Sequence, residues 1–332
     1  MDSPRFTNLL AGTAAGRILS QHPLLCVDIG SRGGVEPELL PIAFAVDAIG
    51  FDSDPQALSE VATTTAGPWR SQRHLPWAIA ATEGEQRLHI PVAHEGASLL
   101  EHDSRIGDAF DKPQFFTRDA EVSVQTRLLD PALAEAGIGR PAFLKLDVEG
   151  CELDILRSAP QSVASALAVK TETAFIPFRR HQPLASDVDQ FLRAAGFVLM
   201  DIVHPSHWRT NGYVIHPQAD RQPIPYSRGQ LVQADFLYFR SPETIEDPER
   251  RFQAAAIAMA YGFFDHAQRL LLPIGMRSWL IEMHETQVDA LVDEVSRIYG
   301  RAVWQAHFGE HIRRIWTYAR SFRNLRATTR PA

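Results

Sequence analysis

Two textures divide the chain. From Leu24 to Arg240 short apolar runs alternate with amphipathic stretches, whereas beyond Ser241-Pro242 only helical periodicity remains. The run Leu24-Leu25-Cys26-Val27-Asp28-Ile29 is almost continuously apolar, the pattern of a strand buried on both faces of a parallel sheet. It ends in Gly30-Ser31-Arg32-Gly33-Gly34. Ala43 to Phe51 ends in a second strand, and Asp54-Pro55 before Gln56-Ala57-Leu58-Ser59-Glu60 predicts a capped helix start. His74 to Ala80 predicts a third strand, and the turn Thr82-Glu83-Gly84-Glu85 leads into a short strand from Gln86 to Pro91. The rhythm then repeats. Ala142 to Asp147 reads as a strand, Cys151 to Arg157 as a helix, Leu167 to Glu172 as a strand, and Asp187 to Ala195 as a helix stopped by Gly196. Phe197 to Asp201 and Ala234 to Arg240 complete the strands. Strands alternating with helices predict a doubly wound, Rossmann-like α/β sheet. Residues 249–271, 278–299 and 307–327 predict helices, interrupted by Pro273, Gly275 and Gly300. The expected organisation is a helical arm over 1–22, an α/β domain over 23–241 and a helical region over 242–332.

Composition narrows the class of protein. Of 332 residues 45% are apolar and 22% charged, as in ordinary folded chains, which excludes a largely disordered one. A net charge of −7 argues against whole-surface nucleic-acid binding. No apolar run approaches the roughly 18 residues of a membrane helix, and the start lacks the basic-then-apolar pattern of a signal peptide. Cys26 and Cys151 sit inside apolar segments and form no metal-ligand pair. A cytoplasmic protein without a transmembrane segment is expected. Charge is nevertheless one-sided at the end: Arg313, Arg314, Arg320, Arg323, Arg326 and Arg330 follow Arg301, against Glu310 alone. Such a face is either simply solvated or binds an anionic glycan, lipid head group, acidic partner or second copy of the chain.

Two constellations carry candidate chemistry. Small residues after a buried strand let backbone approach a ligand, and Asp52 ends the next strand, where an acid accepts hydrogen bonds from ribose hydroxyls. The spacing fits NAD as well as S-adenosylmethionine, but G-x-x-G-G departs from the dinucleotide fingerprint G-x-G-x-x-G. Asp28, just before the loop, suits a ligand that bears an ammonium group. The second constellation is a repeated Lys-x-acid pattern, Lys145-x-Asp147 and Lys170-x-Glu172, which uses two of only three lysines. Residues two apart in a strand share a face, so four charges are expected at neighbouring strand ends. They would activate a hydroxyl, bind a hard cation through Asp147 and Glu172, or form a buried ion-pair network. Glu149 in the following loop reaches toward the same cleft or caps the next helix. His181, His204, His207, Trp208 and Tyr213 are candidates for the wall of an acceptor pocket.

These residues resemble a known family. Val27 to Gly34 and Gly50-Phe51-Asp52-Ser53-Asp54-Pro55 are similar to the first two cofactor motifs of FkbM-type methyltransferases. Phe143-Leu144-Lys145-Leu146-Asp147-Val148-Glu149-Gly150-Cys151-Glu152 resembles that family's most distinctive segment, usually K-I-D-V-E-G-A-E. Ala80 to Glu85 and Val122 to Thr126 resemble further landmarks in order. The second motif departs from the usual Phe-Glu-Pro by the shorter acid Asp52. The resemblance implies a class I methyltransferase fold with an antiparallel last strand, here Ala234 to Arg240. It also implies S-adenosylmethionine and O-methylation of sugar hydroxyls or natural-product scaffolds, as in polysaccharide modification. On this reading Asp28, Gly30, Ser31, Gly34, Asp52, Ser53 and Ala80 hold the cofactor. Asp147 and Glu172, with Glu149 and His181, serve the chemistry, directly or through a divalent cation. A nucleotide-cofactor oxidoreductase and a non-catalytic cofactor-binding module are the alternatives.

Overall fold

The computed structural model describes residues 6–31, 34–52, 67–210 and 227–327. Ser53, the expected helix start at Asp54-Pro55 and Tyr213 lie outside them. The strands are β1 (Leu24–Ile29), β2 (Val46–Phe51), β3 (Ser71–Leu75), β4 (Ala78–Ile79), β5 (Gly84–Pro91), β6 (Arg118–Arg127), β7 (Phe143–Leu146), β8 (Ala168–Ala174), β9 (Phe197–Trp208) and β10 (Gln230–Arg240). Seven of them form one sheet in the order β3-β2-β1-β7-β8-β10-β9, parallel except that β10 runs antiparallel to both neighbours. That order, with its reversed strand inserted beside the last parallel pair, is the class I methyltransferase arrangement. β4, β6 and β5 form a second, three-stranded sheet.

The predicted strand from His74 to Ala80 is two strands in two different sheets. Pro76 stands between β3 and β4 and has no N–H to give to a ladder, so the chain changes sheet there. The expected short strand from Phe197 likewise extends to Trp208, because it pairs along nearly the whole of β10.

The described helices are α1 (Ala14–Gln21), α2 (Ser104–Phe110), α3 (Leu129–Glu135), α4 (Glu152–Ser158), α5 (Pro160–Ser165), α6 (Ala185–Ala194), α7 (Pro248–Ala260), α8 (Phe264–Leu271), α9 (Ile274–His284) and α10 (Val288–Ala327). Strand residues alternate between two apolar cores. Val27, Ile29, Leu144, Leu146 and Val169 face α3 to α6. Cys26, Ala48, Phe143, Ala168 and Leu237 face α1, the 3-10 segment Pro37–Ala45 and the C-terminal helices. Asp247 starts α7 by accepting a hydrogen bond from the Glu249 N–H (3.1 Å), with Pro248 at the first helical position. Every residue from Phe252 to Ala260 is then buried, and a helix apolar all round belongs inside a core. The helical region up to Val295 therefore shares one core with the sheet rather than standing beside it. A mostly parallel sheet needs both faces covered, and α7 to α10 cover the second one.

The last helix changes character along its length. Leu291, Val292, Val295 and Tyr299 are buried, whereas Trp304 and Trp316 are 66% and 68% exposed. No described helix is long and apolar enough to cross a membrane.

Candidate active site

The tips of β1, β2, β7 and β8 converge on one cleft. Gly30 holds φ +80, and a Cβ there would lie 1.9 Å from the Asp147 carbonyl oxygen, so only glycine lets the two strand ends cross so closely. Gly34 holds φ +130 with open space where its Cβ would be, so backbone conformation alone demands glycine there. Ser31 is buried, its hydroxyl 3.4 Å from His74 Nδ1 on β3. Asp52 lies at the end of β2 on the cleft wall, with Gly30, Phe51 and Trp77. Ala80 is buried behind the wall, which is formed by its neighbours Ala78 and Ile79.

The loop after β7 is pinned from several sides. Glu149 adopts φ +60, strained for a residue with a side chain, and Gly150 follows at φ +110. The Glu152 carboxylate accepts the N–H groups of Val148 and Gly150, each at 3.0 Å. The Glu149 carbonyl accepts the Ser98 hydroxyl at 2.7 Å, and its carboxylate is bound by the Arg179 guanidinium. Strain held by this many bonds fixes the loop that carries Asp147 and Glu149 toward Glu172 on β8. Asp147, Glu149 and Glu172 can each offer an oxygen within 4.8 Å of the others.

Electrostatics set the proton affinities around the cleft. Glu172 is raised well above the ordinary carboxylate range by burial, then by Glu149 and Asp147 nearby. Glu149 is raised by burial, although Arg179 pulls it back. Asp28 is pushed up to about 6 by burial, against the attraction of Lys145. Lys145 Nζ lies 3.3 Å from both Asp28 and Asp147, and these acids outweigh its own burial and hold it charged.

Lys170 does not belong to this cluster. It contacts Glu36 (3.2 Å), Glu38 (3.5 Å) and Asp235 (3.4 Å) rather than Glu172. The side chain reaches back beneath the loop toward the 3-10 segment, whereas Glu172 accepts a hydrogen bond from Gln233. The sequence expectation of two equivalent lysine–carboxylate pairs is thus corrected to one. Burial drives Glu36 well up, while Glu38 sinks to about 2 despite its own burial, drawn down by Glu36 and Lys170 beside it. Tyr261, just beyond α7, donates to Glu36 at 3.0 Å and ties the helical region to the loop's underside. His181 stands apart from the cleft. It is exposed in a left-handed turn at φ +62 and lines no described cavity. His204 sits on β9 3.1 Å from Asp235, and Trp208 faces a recess next to the cleft.

The cleft encloses about 590 Å³ between the large sheet and the small one. Acids occupy its floor, while Leu88, Ile90, Val122 and Val124 of the small sheet form an apolar roof. The strand from Gln86 to Pro91 was expected, but neither its pairing with β6 nor Arg179 stood out in the sequence, because both matter only through contact with distant segments. Trp77, stacked on Phe51 at 6.2 Å, was an available signal as a lone aromatic after Pro76.

Residues 49–199 match the family model described as the methyltransferase FkbM domain. This part of the chain is similar to an FkbM-type methyltransferase domain. The match supports S-adenosylmethionine-dependent methyl transfer over the oxidoreductase alternative. The matched part of the FkbM domain begins in β2 and includes the Asp147–Glu152 loop, while the Gly30 loop precedes it. Comparison with curated proteins finds no match. Among solved structures, a precorrin-6y C5,15-methyltransferase from Geobacter metallireducens is 8% identical, covers 68% of this chain and 87% of its own, and has a TM-score of 0.30. A 1,6-didemethyltoxoflavin-N1-methyltransferase from Burkholderia thailandensis is 13% identical over 70% of this chain and 81% of its own, at 0.28. A TehB-like methyltransferase from Corynebacterium glutamicum is 9% identical over 70% and 92%, also at 0.28. Likeness this faint says nothing of substrate.

The residues fit the cofactor. Both Asp28 carboxylate oxygens are buried without a hydrogen-bond partner, an arrangement that suits an incoming ammonium beside the ion pair with Lys145.

Proposed function

We propose that this protein transfers a methyl group to a hydroxyl oxygen of a glycan or a glycosylated small molecule. The observation that carries the reading is the convergence of Asp147, Glu149 and Glu172 in the same cleft as Asp52 and the Gly30 loop. Asp52 would hold the ribose hydroxyls, Asp28 the amino group, and the Phe51–Trp77–Ile79 wall the adenine. Gly30, Gly34 and Ser31 shape the loop around them. S-adenosylmethionine supplies, when bound, a methyl group already activated on a sulfonium. What remains for the chain is to place a hydroxyl in line and accept its proton. Glu172, raised by burial and then by Glu149 and Asp147 beside it, takes that proton, with Asp147 orienting the hydroxyl. Glu149 is held by Arg179 and keeps the loop in place.

One geometric observation favours a second reading of the same carboxylates. Three oxygens within 4.8 Å of one another form a donor set for a hard divalent cation, which would lower the hydroxyl's pKa in place of a base. Release of S-adenosylhomocysteine, followed with methyl glycosides of common hexoses as acceptors, tests both. Asp147→Asn and Glu172→Gln are each expected to slow turnover by about 10²–10⁴-fold with cofactor affinity retained. Chelator treatment leaves the rate unchanged if Glu172 is the base, and abolishes it reversibly if a cation is held. A stable, fully active double variant would end the assignment.

A further inference from the structure

A recess of about 60 Å³ opens beside the cofactor cleft and shares Glu95 and Glu149 with it. It lies between β9, the 3-10 turn Pro113–Phe115 and the segment around Phe178. At that size it admits a group of roughly four water-sized volumes, such as one edge of a ring. Its wall is aromatic. Trp208 meets Phe178 at 5.0 Å and Phe115 and Phe116 each at 6.1 Å, and it remains half-buried with space before it.

Two polar groups are left over in this wall. Arg179 is 5% exposed; one terminal nitrogen binds Glu149 and the Gly96 carbonyl, but its Nε–H is buried and unpartnered. His102 is 2.9 Å from the same carbonyl, so its Nε2 carries the proton and Nδ1 is left as an acceptor. Burial lowers His102, which keeps the ring neutral near pH 7. A free donor and a free acceptor on one wall match an alcohol, which accepts and donates at once. A carboxylate has no proton for Nδ1 and would face Glu95 and Glu149.

We propose that this recess is the acceptor subsite and selects a neutral, polyhydroxylated ring. The ring's C–H face lies on Trp208, where the electron-rich aromatic face attracts weakly positive C–H groups. A ring hydroxyl takes the Arg179 Nε–H and donates to His102. The carboxylate rim excludes anionic sugars. This rests on the methyl-transfer reading above, and it adds which acceptors that site takes.

The test uses the full chain with S-adenosylhomocysteine present, and saturation-transfer NMR with three probes: methyl α-mannopyranoside, methyl α-rhamnopyranoside and methyl glucuronide. The neutral glycosides are expected to receive saturation at their ring protons, and the glucuronide to bind at least about tenfold more weakly. Trp208→Ala should abolish the transfer and Trp208→Phe should retain it, with cofactor affinity unchanged by calorimetry. Because Trp208→Ala removes an aromatic contact and threatens folding, His102→Ala serves as the second variant, expected to weaken neutral glycosides several-fold. Glucuronide binding equal to or tighter than the neutral probes, no transfer to either neutral probe, or variants that bind them unchanged would overturn the subsite. Absence of S-adenosylhomocysteine binding to the wild-type chain would instead overturn the methyl-transfer reading beneath it.

Discussion

Burial raises Glu152 to about 7 and Asp28 to about 6, so both take up protons on folding. The sign follows from linkage. A carboxyl whose folded pKa lies above its unfolded value favours the folded state while protonated, and that contribution is lost as pH rises through the folded pKa. The cofactor-free protein should therefore lose stability between about pH 4 and pH 7. For Glu152 alone the shift corresponds to at most about 3 kcal/mol. Glu152→Gln keeps an acceptor for Val148 and Gly150 without the charge, and is expected to flatten the fall in melting temperature over this range. An unchanged pH profile would show that Glu152 is ionised at little cost. Its raised proton affinity was not legible in the sequence, where Glu152 reads as an ordinary first-turn acid. Its burial beneath the Asp147–Gly150 loop is a product of tertiary packing. Asp52, Gly30 and Asp147, by contrast, were legible, because strand ends in a parallel sheet are where ligands gather. Lys170 misled because its face was read correctly but its reach was not. A four-carbon stem can pass beneath the loop to Glu36, and only the fold shows that it does.

At the scale of elements, the strands announced themselves and the helices' partners did not. Continuous apolar runs such as Leu24 to Ile29 have no exposed face, so the sheet could be inferred without knowing its cover. The run Ala254 to Ala260 is equally apolar, yet nothing local says that its helix lies against the 3-10 segment Pro37–Ala45 and β10. The small sheet was hidden for a related reason: β6 is mostly exposed, and its pairing with β5 spans a long insertion. Two outcomes follow from the shared core. Phe252→Ala, at a fully buried position, should cost about 3–5 kcal/mol in denaturant unfolding. Truncation after Ser241 strips the cover from one sheet face and should give insoluble chain, measured as recovery in the soluble fraction. A soluble truncated protein that still binds cofactor would show that the helices are dispensable.

The whole molecule is a sheet clad by helices on both faces, with a small sheet roofing the cleft at the strand ends. The distal part of α10 runs past this body with exposed Trp304 and Trp316 and an arginine-rich sequence. The central claim is that the roofed cleft is built for S-adenosylmethionine with Asp52 on its ribose. Calorimetric titration of the full chain with S-adenosylhomocysteine, wild type beside Asp52→Ala, tests it most directly. The account predicts one bound molecule per chain and a loss of roughly 10–100-fold in affinity for the variant, as for losing hydrogen bonds to a charged group. No heat from the wild type, or equal affinity in both proteins, would contradict it.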